Sequence, residues 1–174
     1  MTVGPRARKT LLFAHVATSV GWLGAVLAYV GLDVTAATSQ DVQLVRGAYL
    51  AMDVTISTAI VPLAIATVVL GLLTAWNSPW GVLRHYWVLA KLLPTLVATA
   101  VLLLETQTIQ ALADTAVMVN DPRELSGTLP HSIGGSIVLL VVTALSMFKP
   151  KGLTRYGWRR QQKQRRMRSA ASTS

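Results

Sequence analysis

Four long apolar runs alternate with short polar stretches along this chain. Thr10–Leu32 carries no formal charge, and Val54–Ala75 is likewise uncharged. Tyr86–Leu104 is interrupted only by Lys91. The fourth run, about Leu129–Phe148, is densest in SIVLLVVTALSMF. Each approaches the ~20 residues that cross a bilayer as a helix. Lipid offers no partner to backbone N–H and C=O groups, so each run must satisfy its own by coiling. A membrane β-barrel would need ~10-residue alternating segments, and the pattern lacks them. The expected architecture is therefore all-α, a four-transmembrane-helix bundle.

The polar stretches refine this picture. In DVQLVRGAYLAMD, Val42, Val45, Tyr49 and Met52 keep helical spacing, and in ETQTIQALADTAVM so do Ile109, Leu112, Ala113, Ala116 and Val117. Each stripe runs into a span without a breaker. Helices two and three are thus expected to extend beyond the outer face and to pack there on one another. NDPREL and SGTLP turn the chain back, with Pro130 suited to the first turn of the fourth helix. NSPWG reads as a tight turn between helices two and three. Pro62 and Pro94 fall inside spans, where each removes a backbone donor and bends its helix. Ala17, Gly21 and Ala25, like Gly24 and Ala28, are four apart, a spacing that lets helix backbones approach closely. The first helix is accordingly expected inside the bundle.

Composition agrees with membrane residence. Hydrophobic residues make up 52% and charged ones 13% of the 174 positions, against roughly 25% charged in soluble domains. Cysteine is absent, which excludes disulfides and thiolate chemistry. Arg6, Arg8 and Lys9 precede the first run as in a signal peptide, but that run is longer than the roughly 7–15 apolar residues of a secretory signal. It reads as a retained span.

The net charge of +9 suggests nucleic acid until the charges are placed. Arg6, Arg8, Lys9, Arg84 and the nine cations after Phe148 share one side; Arg46 and Arg123 take the other. By the positive-inside rule both termini lie in the cytoplasm, in a bacterial inner membrane. All seven acids (Asp33, Asp41, Asp53, Glu105, Asp114, Asp121 and Glu124) fall outside or at the outer edge. Trp76, Trp80 and Trp87 read as anchors at the inner interface. Residues 1–158 form one transmembrane domain, and 159–174 a basic tail expected to be disordered. Its cations suit anionic lipid headgroups, and no folded nucleic-acid reader is visible.

Candidate chemistry sits near the inner leaflet. His15 stands about six residues into its helix and Lys91 about five, so both lie roughly 8–9 Å deep. Ser19 and Trp22 follow His15 at helical spacing and share its face. His15, Lys91, Trp22 and Ser19 therefore define the expected pocket, because ionisable groups within spans are a functional hypothesis by default. Set against this are plainer readings. His15 would be a neutral imidazole bonded to a neighbouring helix, and Lys91 a side chain snorkelling to the headgroups. A buried cation there would suit a carboxylate-bearing or otherwise anionic ligand. The imidazole could ligate a metal or haem, or carry a proton. His85 reads as interfacial, His131 as too far across the bilayer to join His15, and Asp53, beside Thr55, as a solvated helix-end acid with cation binding as the alternative. No metal cluster, nucleotide loop or catalytic triad is recognisable.

AHVATSVGWLGAVL together with HYWVLAKLLPTLVATAVLLL resembles a family of small actinobacterial integral-membrane proteins of unknown function. More distantly it is similar to the copper-resistance protein D family and to HemJ-type protoporphyrinogen oxidases. There, an early helix carries His followed by Trp-x-Gly, as do His15, Trp22 and Gly24, and a later helix carries an intramembrane Lys, as does Lys91. This resemblance implies a haem b-associated site at His15 and Lys91. After Gly24 the chain reads AVLAYVGLDV, without the Pro-Arg and further His of the HemJ pattern, so oxidase activity is not carried over.

The leading functional expectation is a non-catalytic or accessory membrane protein, working with a protein partner or as a homo-oligomer. The alternatives are a haem- or porphyrin-binding redox protein and a small permease hinged at Pro62 and Pro94.

Overall fold

The computed structural model describes residues 4–76 and 86–148, with positions 158, 159, 162 and 167 of the tail. The NSPWG turn, His85, the Trp87 side chain and most of the basic tail lie outside the described residues. The described chain is all-helical. α1 covers Pro5–Thr38, α2 Val42–Trp76, α3 Tyr86–Met118 and α4 Leu129–Phe148. All four are long and apolar enough to cross a membrane. Each packs against its neighbours in the chain, and α4 closes the ring on α1. Gly21 of α1 meets Leu63 of α2, and Asp33 of α1 meets Ser132 of α4, so adjacent helices run antiparallel. The start of α1 and the end of α4 consequently share one end of the bundle, called here the terminal end; the opposite end is the distal end.

Short polar signals set the helix limits. α1 starts on Pro5 and ends where Ser39 turns extended. The Ser39 hydroxyl then accepts from the Asp41 N–H at 3.1 Å, and Asp41 Oδ1 accepts from the Gln43 N–H at 2.8 Å, which caps the start of α2. Pro130 occupies the first turn of α4, as its fixed φ suits. Within α2, Ile56–Ile60 widens into one π turn, and the Val61 N–H bonds the Ile56 carbonyl. Pro62 lacks a donor for Thr58 and would press on that carbonyl in a regular helix, and a wider turn relieves this.

Helix lengths explain where the packing is tightest. α1 has 34 residues and α4 has 20, roughly 51 and 30 Å at ~1.5 Å per residue, against a hydrocarbon layer of about 30 Å. α1, α2 and α3 therefore overhang α4 at the distal end. There Val45, Tyr49 and Met52 of α2 are buried with Ala36 of α1 and with Ile109, Ala113 and Ala116 of α3. Outside lipid such burial is driven by water, at about 1.5–3 kcal/mol for each large apolar side chain. Within lipid that drive vanishes, and Phe13, Val16 and Val20 of α1 face outward without penalty. The two expected extensions are thus present and packed together, and α1 completes their core.

Arg46 fastens this overhang. Its Nε donates to the Ala116 carbonyl at 2.8 Å and its Nη2 to the Val119 carbonyl at 2.9 Å, satisfying the end of α3. Arg123 bonds Asp121 and reaches the Gln40 carbonyl at 3.1 Å, tying the two distal connections together. The small-residue expectation divides. Gly21 packs on Leu63, whereas Gly24 and Ala28 lie on the exposed side of α1. Only one face of α1 is enclosed.

Candidate functional site

That enclosed face carries the chemistry. Trp22, Val26, Tyr29, Asp33 and Ala36 are its buried positions, spaced by three and four. His15 and Ser19 continue the same stripe toward the terminal end. It therefore presents an imidazole near one end and a carboxylate roughly 27 Å further along.

At the terminal end, His15 is half-buried and its ring lies on Gly71 of α2. A Cβ built on Gly71 would stand 2.9 Å from Cε1 and 3.5 Å from Nδ1. Glycine is required here because the ring occupies the place of a side chain. The Thr67 backbone, one turn from Gly71, engages the imidazole, and the Lys91 charge reaches it from α3. Lys91 is half-buried and shares a stripe with buried Val88, Thr95 and Thr99. It points into the bundle on the same side as those residues.

Three buried polar atoms in this region have no partner: His15 Nδ1, Trp22 Nε1 and Thr67 Oγ1. Buried polar groups are nearly always hydrogen-bonded, so such a group calls for a water or a ligand. The hydroxyls around them are already engaged. Ser19 donates to the His15 carbonyl at 2.7 Å, Thr18 to the Ala14 carbonyl at 3.0 Å, and Thr95 to the Lys91 carbonyl at 2.7 Å. The structure thus puts the His15 ring within reach of the Lys91 charge, encloses Trp22 on the same face roughly 10 Å further along α1, keeps Ser19 as a helix-bonded bystander, and adds Thr67. A polar residue buried on a facing helix was the signal for Thr67, but a lone threonine in a span does not announce its partner.

The residues present do not fit a haem. Nδ1 is sealed, Cε1 rests on Gly71, and the Thr67 backbone already engages the ring. Histidine ligates a haem iron through a ring nitrogen, and here Nδ1 is closed to one. Among the described residues no three His, Cys, Asp or Glu side chains gather as a metal site.

The distal end holds a cluster that the charge pattern alone places at a solvated edge. Asp33 is wholly buried, at 0% exposure. Its Oδ2 accepts from Ser132 Oγ at 2.7 Å and from Thr128 Oγ1 at 3.0 Å. With the Thr128 proton directed at Asp33, the Tyr29 hydroxyl donates to Thr128 Oγ1 across 3.2 Å. Oδ1 is buried and has no partner. Thr128 and Ser132 flank the start of α4, whose N-terminal end favours a negative charge. Burial of Asp33 is therefore explained by where α4 begins. Tyr29 and Asp33 extend, at i and i+4, the stripe that carries His15, Ser19 and Trp22.

The remaining candidates lie apart. His131 is exposed at the distal end, 3.6 Å from Glu105, and does not approach His15. Asp53 is half-buried rather than solvated, and its Oδ1 also lacks a partner. No family model, curated protein or solved structure matches the chain.

Proposed function

We propose that this chain is a non-catalytic, accessory membrane protein that holds the anionic head of a membrane-soluble ligand between its helices, beside His15 and Lys91. One observation carries the reading. Trp22 Nε1 and Thr67 Oγ1 are buried without partners on the two helix faces that enclose His15, and the Lys91 charge reaches the His15 ring. The Trp22 Nε1–H and the Thr67 hydroxyl can each donate a hydrogen bond, and Lys91 adds a positive charge. The group that satisfies such a set is rich in anionic oxygen, such as a carboxylate or a phosphate. The surrounding lipid-facing helices suit an apolar tail.

Cation placement supports an orientation with both termini in the cytoplasm of a bacterial inner membrane. The pocket then opens near the cytoplasmic leaflet, where the basic tail meets anionic headgroups. In this reading the protein passes its ligand to, or senses it for, a protein partner or a second copy of itself.

The test is binding of oleate to the purified protein in nanodiscs, followed by quenching of tryptophan fluorescence with a brominated analogue. Saturable binding is expected, weakened ~10–100-fold in Lys91→Met by loss of a charged hydrogen bond. Equal binding by wild type and Lys91→Met would overturn the reading.

The π turn at Ile56–Ile60 favours a second reading, a small permease, because π turns cluster at functional sites. Pro62→Ala, which restores a donor for Thr58, is then expected to slow transfer of oleate across liposome membranes. Unchanged transfer would count against it.

A further inference from the structure

We propose that Asp33 is a binding site for a small monovalent cation, a proton or a sodium ion, seated on its open oxygen Oδ1. The site is separate from the His15–Lys91 pocket and does not depend on that reading.

A carboxylate at 0% exposure inside a helical bundle needs a compensating positive charge. Among the described residues Asp33 has no ion pair. Arg46 is committed to the end of α3 and Arg123 to Asp121 and Gln40. The start of α4 supplies only part of a charge. The hydrogen-bonding positions of Oδ2 are taken by two hydroxyls, which carry no charge. Oδ1 is the open position.

The cluster that holds Asp33 is built of oxygen: the Thr128 and Ser132 hydroxyls on Oδ2, the Tyr29 hydroxyl on Thr128 Oγ1, and the Leu129 carbonyl 3.1 Å from Ser132 Oγ. A carboxylate oxygen open in such a setting suits a hard cation. Gly127 lies beside Oδ1; a methyl group there would stand 3.6 Å from it, in ordinary contact. The titratable groups that act on this cluster are Tyr29 of α1, Tyr49 of α2 and Glu105 of α3, with His131 of α4 next to Ser132 and 3.6 Å from Glu105.

Hydroxyl donors on Oδ2 and a cation on Oδ1 together hold α1 against α4. Loss of the cation leaves an uncompensated carboxylate in the seam, so occupancy couples the distal cation concentration to the α1–α4 contact.

Thermal unfolding of the purified chain in detergent tests this. One arm titrates pH in choline buffer free of sodium, and the other titrates sodium chloride against choline chloride at fixed pH. The wild-type midpoint is expected to rise along one of the two arms by an amount missing from Asp33→Asn. A difference confined to the pH arm identifies the proton, and one in the salt arm identifies sodium. Identical responses of wild type and Asp33→Asn in both arms would overturn the proposal. Should Asp33→Asn not fold, Ser132→Ala keeps the carboxylate and removes one donor. Its half-saturation is then expected ~10-fold lower in cation concentration, and an unshifted titration would overturn the proposal equally. Lys91→Met is expected to leave both arms unchanged, which separates this site from the ligand pocket.

Discussion

Ser132 Oγ lies 2.7 Å from Asp33 Oδ2, joining α4 to α1 across 99 positions of sequence. The bond is buried and ends on a carboxylate, the condition in which a hydrogen bond contributes most. Ser132→Ala is expected to lower stability by about 1–3 kcal/mol. Ser132→Thr keeps the hydroxyl and should lose less. Reversible unfolding in mixed micelles reads the difference.

Gly71 and His15 make a second such pair. With Cε1 only 2.9 Å from a Cβ on residue 71, Gly71→Ala forces the imidazole aside. Overpacking of this kind costs about 1–3 kcal/mol. In a His15→Ala background the same substitution should be nearly silent, so a double-mutant cycle isolates the contact. Equal effects in both backgrounds would place the ring elsewhere.

Arg46 closes the end of α3 with two donors at 2.8 and 2.9 Å. Arg46→Met removes both and is expected to cost about 1–3 kcal/mol. Lysine carries the charge without the planar fork and should recover only part of it. Faster amide exchange around residues 116–119 would locate the loss.

Asp121 supplies a pH prediction. Hydrogen bonds from the Arg123 side chain and backbone hold its carboxyl down at about 2, below the ordinary 3.8. A depressed acid favours the folded connection above the ordinary value. That contribution fades as pH falls from about 4 toward 2. In Arg123→Ala the Asp121 midpoint should return toward 3.8, as followed by carboxyl NMR shifts.

Much of this fold was legible in the sequence because membrane crossing depends on local apolar length. The fourth span agrees at both ends, Leu129 and Phe148. The first three run longer than their apolar cores, since amphipathic extensions continue the helix past the lipid. The face shared by His15 and Trp22 was readable from spacing alone. Asp33 was not readable as buried, because its partners Thr128 and Ser132 lie 95 and 99 residues away. Nothing local separates a carboxylate capped by a distant helix from one in water. Thr67 and Gly71 were hidden for the same reason: their meaning comes from His15 on another helix.

The central claim is that one face of α1 is shut inside a membrane-crossing bundle while the opposite face meets lipid. The chain has no cysteine, so single cysteines can be introduced from 12 to 36 and spin-labelled in liposomes. Labels at 22, 26, 29 and 33 should be immobile and closed to dissolved oxygen, and those at 13, 16, 20, 24 and 27 open to oxygen but closed to a water-soluble nickel complex. Uniform access of the nickel complex along α1, with no helical period, would contradict the account.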